Sequence, residues 1–145
     1  MEKEFITKNL KETKKLGEML AAELRGGEII CLSGELGAGK TTFSQGILEG
    51  LGAKGPYTSP TFVVMKHYEI KTPKNGNIRN AYHVDAYRIG SDDMLNLGWE
   101  EIISNKENVI IVEWAERLEN IIPKCALRID FSWEGENERK INFKS

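Results

Sequence analysis

At 145 residues, about 40% apolar and 29% charged, the chain has the proportions of one soluble globular domain long enough to bury a core. A formal net charge of −2 gives no global attraction to nucleic acid or an anionic membrane, and no apolar run approaches the roughly 20 residues that span a bilayer. The charged start, Met1-Glu2-Lys3-Glu4, lacks the apolar centre of a signal peptide, which points to the cytoplasm. Cys31 and Cys125 lie in apolar segments with no metal-ligand spacing, so both read as buried, reduced thiols.

The elements follow in chain order. Asn9 with Glu12 forms a capping pair, after which Leu10, Leu16, Met19, Leu20 and Leu24 fall roughly on one helical stripe. Gly26-Gly27 ends that helix, and Glu28–Ser33 reads as a buried strand. Gly34–Gly39 is a loop, and Lys40–Leu51 is a helix with Phe43, Ile47, Leu48 and Leu51 inward. After a turn-rich stretch to Pro60, Phe62–Ile70 and Arg79–Ile89 read as strands of a hairpin, with Pro73 and Asn75-Gly76 as turn chemistry. Ser91 caps a helix to about Ile103, broken near Gly98. Val109–Val112 is a short apolar strand, and Ala115–Ile122 is a short helix stopped by Pro123. Ala126–Trp133 and Glu138–Phe143 close the chain as a hairpin around Gly135. No repeat or linker divides the order, so residues 1–145 are expected to form a single α/β domain whose mixed-direction sheet is flanked by helices.

One segment carries most of the chemistry. Gly34-Glu35-Leu36-Gly37-Ala38-Gly39-Lys40-Thr41 fits G-x-x-x-x-G-K-[ST] in full, with an apolar strand before it and a helical pattern after it. Glycines let the backbone curl so that successive N–H groups of Leu36, Gly37, Ala38 and Gly39 face phosphate oxygens, and the helix N-terminus adds partial positive charge. Lys40 is placed to reach the β- and γ-phosphates, the Thr41 hydroxyl to ligate Mg²⁺, and Thr42 to add a phosphate contact. A nucleoside triphosphate, ATP with Mg²⁺, is the expected ligand. A bare turn between strand and helix would need neither Lys40 nor Thr41.

Three further segments bear on that site. Glu113 ends the strand Val109–Val112, where phosphate-loop proteins deliver an acid toward the metal. It would hold Mg²⁺ directly or through water, or orient the attacking water; a solvated strand-end acid is the plain alternative. Trp114 either covers the site or packs. In His83-Val84-Asp85-Ala86-Tyr87-Arg88, alternation puts His83, Asp85 and Tyr87 on one face and Tyr82, Val84 and Arg88 on the other. Asp85 is thus a second candidate acid, whereas a lone His83 is more often packed or hydrogen-bonded than catalytic. Arg88 pairs with an acid or senses phosphate. Ser59-Pro60-Thr61-Phe62 offers a loop hydroxyl, Thr61, able to report on the γ-phosphate as switch segments do; alone it would be only a Ser-Pro turn.

Taken together, 34–42, 59–62, 83–88 and Val-Glu-Trp-Ala-Glu-Arg-Leu at 112–118 stand in the order found in the TsaE (YjeE) family, which the chain resembles over nearly its whole length. The resemblance implies a small phosphate-loop ATPase needed for threonylcarbamoyladenosine in tRNA, acting with TsaB and TsaD. TsaD carries out the transfer to the adenosine at tRNA position 37, so tRNA contact here would be indirect or through the complex. It implies Lys40 as the phosphate lysine, Thr41 as a Mg²⁺ ligand, Glu113 as the second metal-site residue, Asp85 as the acid of the His-x-Asp segment and Thr61 in the switch-like segment. Family members also close the adenine end with N- and C-terminal segments, which here means residues near Thr7 to Thr13 and Arg139.

Rival readings are a GTPase, a small-molecule kinase and a nucleotide-gated binding module. Asn105-Lys106-Glu107-Asn108 imitates a guanine-reading motif but ends in Asn and precedes its strand. A kinase needs an acceptor pocket and an arginine-bearing lid that this length hardly accommodates. Segment 66–88 holds Lys66, Lys71, Lys74, Arg79 and Arg88 against Glu69 and Asp85, an excess of three positive charges (5 − 2) that would suit tRNA or an acidic partner; a solvated hairpin is the plain alternative.

Overall fold

The computed structural model describes residues 2–34, 37, 39–57 and 64–144. Seven strands form one sheet: β1 (Glu2–Thr7), β2 (Ile29–Gly34), β3 (Met65–Glu69), β4 (Asn80–Asp85), β5 (Asn108–Glu113), β6 (Leu127–Trp133) and β7 (Arg139–Lys144). Their spatial order is β1-β7-β6-β2-β5-β4-β3. The four central strands β6, β2, β5 and β4 are parallel, and β7, β1 and β3 pair antiparallel at the flanks. The fold is therefore the mixed-sheet α/β arrangement expected from the sequence.

Burial explains which runs became central. All six residues of β5 are buried, and β2 is buried over Ile29–Leu32, because both faces of these strands carry helices. On one face lie α1 (Leu10–Ala21) and α2 (Lys40–Leu51). Phe43, Ile47, Ile30, Leu32, Ile111, Phe131 and Ile141 pack there with essentially no exposure. On the other face, α3 (Ser91–Asn96), α4 (Trp99–Ser104) and a 3₁₀ segment (Ala115–Ile121) cover Cys31, Val84, Ile110 and Val112 with Met94, Trp99 and Leu118. Each such apolar side chain contributes about 1.5–3 kcal/mol by leaving water.

The α1–α2 contact departs from the expected apolar stripe. Leu10 and Met19 are more than half exposed, and the buried positions are Thr13, Leu16, Gly17 and Ala21. Leu24 is buried too, but beyond the helix end. Small residues let the axes come close: a Cβ on Gly17 would lie 2.3 Å from the Phe43 carbonyl oxygen, and one on Gly46 would lie 2.2 Å from that of Lys14. Leu16 stays in the core, while Leu10 and Met19 stand at the rim. Lys14 and Glu49 close the contact with an exposed ion pair of 2.6 Å.

Other differences are local. The Asn9 cap forms as expected, its side chain accepting from the Glu12 amide at 2.9 Å while Glu12 accepts from the Lys8 amide at 2.8 Å. The helix stops at Ala21, before Gly26-Gly27. Ser91 is the first helical residue rather than the cap; Gly90 holds the cap position, its N–H donating to Asp93 at 3.1 Å. The break at Gly98 is present, with φ +91. Strand β4 ends at Asp85, short of Ile89, because Tyr87 turns back with its N–H donating to Asp85 Oδ1 at 3.0 Å. Strand β1 had no sequence expectation: its consecutive charges Glu2, Lys3 and Glu4 are all exposed on an edge, and only Phe5, half-buried, and Thr7, buried, turn inward. Cys31 is buried, but Cys125 is exposed in the turn that Pro123 closes before β6.

Candidate functional site

The site lies where β2, β4 and β5 end and α2 begins. Parallel strands present their C-terminal ends together, and the β2–α2 turn places a helix N-terminus beside them. Gly39 holds the cap position of α2 at φ +102, a left-handed conformation that suits glycine, and no side chain among the described residues caps the helix. The amide groups of the first turn consequently have no competing side-chain acceptor at the cap. Thr41 and Thr42 stand in that turn, half-buried.

Lys40 is 5% exposed. Its Nζ donates to the Gly34 carbonyl at 3.0 Å and sits 4.2 Å from the centroid of the Trp114 ring. Trp114 has φ +60, the one non-glycine residue at positive φ among the described residues. Its ring meets Tyr87 at 4.9 Å, and the Arg117 guanidinium lies 5.1 Å from the Tyr87 ring. Of the two readings of Trp114, packing is what these contacts show, with Lys40 and Tyr87 against its ring.

The two candidate acids are neighbours. In the parallel β4–β5 ladder, Asp85 is in register with Glu113, and His83 with Ile111. His83 and Glu113 point to the α2 face, where His83 Nε2 and Glu113 Oε2 are 2.5 Å apart. Both are buried, at 1% and 7% exposure. The reading of His83 as a hydrogen-bonded residue matches this contact. Asp85 is half-buried, and Tyr87 and Arg88 are exposed beyond the strand end.

The terminal segments reach the same place. Thr7 of β1 is in register with Arg139 of β7, and the Thr7 and Thr13 hydroxyls are hydrogen-bonded at 2.7 Å. A Cβ on Gly39 would lie 3.2 Å from Thr13 Cγ2 and 3.9 Å from Arg139 Nε. The Arg139 guanidinium stacks 4.2 Å from the Trp133 ring, and its Nε is buried with no hydrogen-bond partner among the described residues. Trp133 also approaches Gly37, at 3.7 Å from a Cβ built there. Sequence reading did not single out Trp133; an aromatic ending a strand beside a polar hairpin was the available signal. Leu36 and Ala38 of the loop, and Ser59–Phe62 with Thr61, lie outside the described residues.

Two competing motifs have structural explanations. Asn108 opens β5 buried, its amide donating to the Ile102 carbonyl at 2.9 Å, so the Asn105–Asn108 run serves a loop far from the strand ends at α2. In the basic hairpin, Asn75 donates to the Ala21 carbonyl at 3.1 Å and docks the turn onto the end of α1, with Lys71, Lys74 and Arg79 exposed. No helix among the described residues is long and apolar enough to cross a membrane.

The fold and site define a nucleotide-binding protein of the phosphate-loop class. The model of the family described as threonylcarbamoyl adenosine biosynthesis protein TsaE matches residues 7–141. The chain is 39% identical over 137 residues to the tRNA threonylcarbamoyladenosine biosynthesis protein TsaE of Bacillus subtilis (strain 168), covering 94% of this chain and 82% of that one. It is 45% identical over 121 residues to the protein of the same name from Streptomyces coelicolor, covering 81% and 78%. The crystal structure of Bacillus subtilis YdiB superposes with a TM-score of 0.75 at 33% identity, covering 99% of this chain and 84% of that one. The chain belongs to the TsaE family.

Proposed function

We propose that this chain binds Mg·ATP between the 34–41 loop, Glu113 and the Thr7–Arg139 edge, and hydrolyses it in step with its partners. As a TsaE-family protein it is an ATP-hydrolysing protein of tRNA threonylcarbamoyladenosine biosynthesis, and that family acts with TsaB and TsaD. The observation that carries the reading is the buried Lys40 at the uncapped start of α2, on the same sheet face as the buried Glu113.

The donor set suits magnesium. No group of three His, Cys, Asp or Glu residues converges among the described residues, so there is no closed protein cage. Mg²⁺ characteristically takes one or two protein oxygens and fills its octahedron with phosphate oxygens and water. Thr41 and Glu113 are the residues that would hold it, with Asp85 in register with Glu113. When bound, the ion neutralises the charge of the phosphates.

The chain's own groups do the rest. The loop N–H groups and the first turn of α2 bind the phosphates, and Lys40 leaves Gly34 O and Trp114 to reach the β- and γ-oxygens. Asp85 or Glu113 orients the water that attacks the γ-phosphorus. Thr42 adds a phosphate contact, Arg139 and Trp133 close the nucleoside end, and Thr61 reports γ-phosphate loss to the partner. The contact between Lys40 and Trp114, worth about 0.5–2 kcal/mol, is small beside what a phosphate offers the ammonium group.

Steady-state ATP turnover tests this, alone and with TsaB and TsaD added, using Lys40→Ala as the blank. Slow turnover that changes when the partners are added, and is absent in Lys40→Ala, is expected. Turnover indifferent to both partners would refute the coupled role.

A further inference from the structure

His83 is hard to account for as a packing residue. It sits on β4, between β5 and the edge strand β3, 1% exposed, with one ring nitrogen on Glu113 and the other, Nδ1, buried without a partner among the described residues. A buried nitrogen left unpaired costs about 1–3 kcal/mol, and a carboxylate taken out of water costs more. An apolar pair of similar volume would usually serve stability as well or better. The neighbouring positions of both strands show that this face accepts such residues: Ala81, Val109 and Ile111 are all fully buried there.

The geometry offers another use. Glutamate has three side-chain torsions, and Glu113 is the last residue of its strand, so the ladder fixes its backbone but not its carboxylate. The His83 ring, fixed in the ladder two pairs before the Asp85–Glu113 pair and on the same face, reaches Oε2 at 2.5 Å. With the carboxylate as acceptor, Nε2–H donates to Oε2, a contact that does not engage Oε1.

We infer that His83 is a positioning residue for this ATPase: its Nε2–H fixes the Glu113 carboxylate so that Oε1 alone faces the metal and water. It touches neither nucleotide nor water itself. This rests on the reading of Glu113 as a site carboxylate given above. Partners that orient metal-site carboxylates typically change activity about 10–100-fold when removed.

The experiment compares ATP turnover, ATP affinity and the Mg²⁺ concentration for half-maximal rate in five full-length proteins: wild type, His83→Gln, His83→Asn, Glu113→Gln and the double variant His83→Asn/Glu113→Gln. A glutamine amide nitrogen can stand where Nε2 stands, whereas an asparagine amide overlays Nδ1 instead. The expected result is that His83→Gln keeps most of the turnover. His83→Asn should lose about 10–100-fold in kcat, with ATP affinity nearly unchanged and a higher Mg²⁺ requirement. In the Glu113→Gln background, His83→Asn should cost nothing further, since the group it positions is gone. Equal activity of the Gln and Asn variants, or a full additional loss in the double variant, overturns the inference alone. Wild-type turnover by Glu113→Gln overturns the reading of Glu113 and the inference with it.

Discussion

Alanine at Gly46 sets two effects of opposite sign against each other. In a helix interior, Gly→Ala is ordinarily worth about 1 kcal/mol in favour of alanine. At this position the new methyl would stand 2.2 Å from the Lys14 carbonyl oxygen and 3.0 Å from its carbon, both backbone atoms of the facing helix. That is roughly 1 Å inside an ordinary C···O contact, and no side-chain rotation relieves it. α1 and α2 must separate, loosening the packing of Phe43, Ile47 and Leu16 beneath them. Overpacking of this kind costs about 1–3 kcal/mol, so steric strain offsets or outweighs propensity, by up to about 2 kcal/mol. For a chain of this size that is a fall in Tm of up to roughly 8 °C. Thermal melts and urea midpoints of Gly46→Ala, with Gly135→Ala as a control, measure it. Gly135 has no atom within 4 Å of its built Cβ, so its variant should stay within about 0.5 kcal/mol of wild type. A Gly46→Ala protein more stable than wild type would refute the close-contact argument.

The two thiols should differ in reactivity. Burial pushes the Cys31 thiol up to about 12, while Cys125 is exposed, so a thiol reagent at pH 8 should label one cysteine in the folded protein and two after denaturation. Because the Cys31 value is raised on folding, its contribution to stability is present below the ordinary thiol range and is lost as pH climbs toward 12; a melt series above pH 9 checks the sign. On the outer face of β6 and β7, burial alone would raise the Asp130 carboxyl, but hydrogen bonds from Lys144, at 2.6 Å, and from Ser33 outweigh it and hold the value below the usual carboxylate range. Stability from such a depressed acid exists above the unfolded value and disappears as pH falls through the folded one. Lys144→Met should therefore be less stable than wild type at pH 7, with the gap closing below about pH 4 in urea titrations.

Glu113 shows how far the sequence reaches and where it stops. Its place at the end of a continuous apolar run, Val109–Val112, marked it as a strand-end acid, and the 34–41 motif marked the helix that faces it. The hydrogen bond to His83 was not legible, because the residues are 30 positions apart and only the β4–β5 ladder sets them side by side. The α1 stripe failed for a related reason. Periodicity ranks residues by hydrophobicity, whereas the contact with α2 selected small residues for the distance they allow. Strand β1 was missed because its partner, β7, lies at the far end of the chain, and an edge strand with charges outward carries little apolar signal of its own.

What the sequence determined by itself was therefore whatever is encoded by local pattern. The strand and helix that flank the 34–41 motif, the hairpins, the break at Gly98 and the mixed character of the sheet all follow from spacing and turn chemistry over a few residues. What only the tertiary structure decided was which distant groups meet. Lys40 rests against Trp114, His83 bonds Glu113, and Thr13 and Arg139 converge on Gly39. The physical reason is that hydrogen-bond and ring contacts reach only a few ångströms. Strand order and helix packing, which no local pattern specifies, bring residues dozens of positions apart within that range.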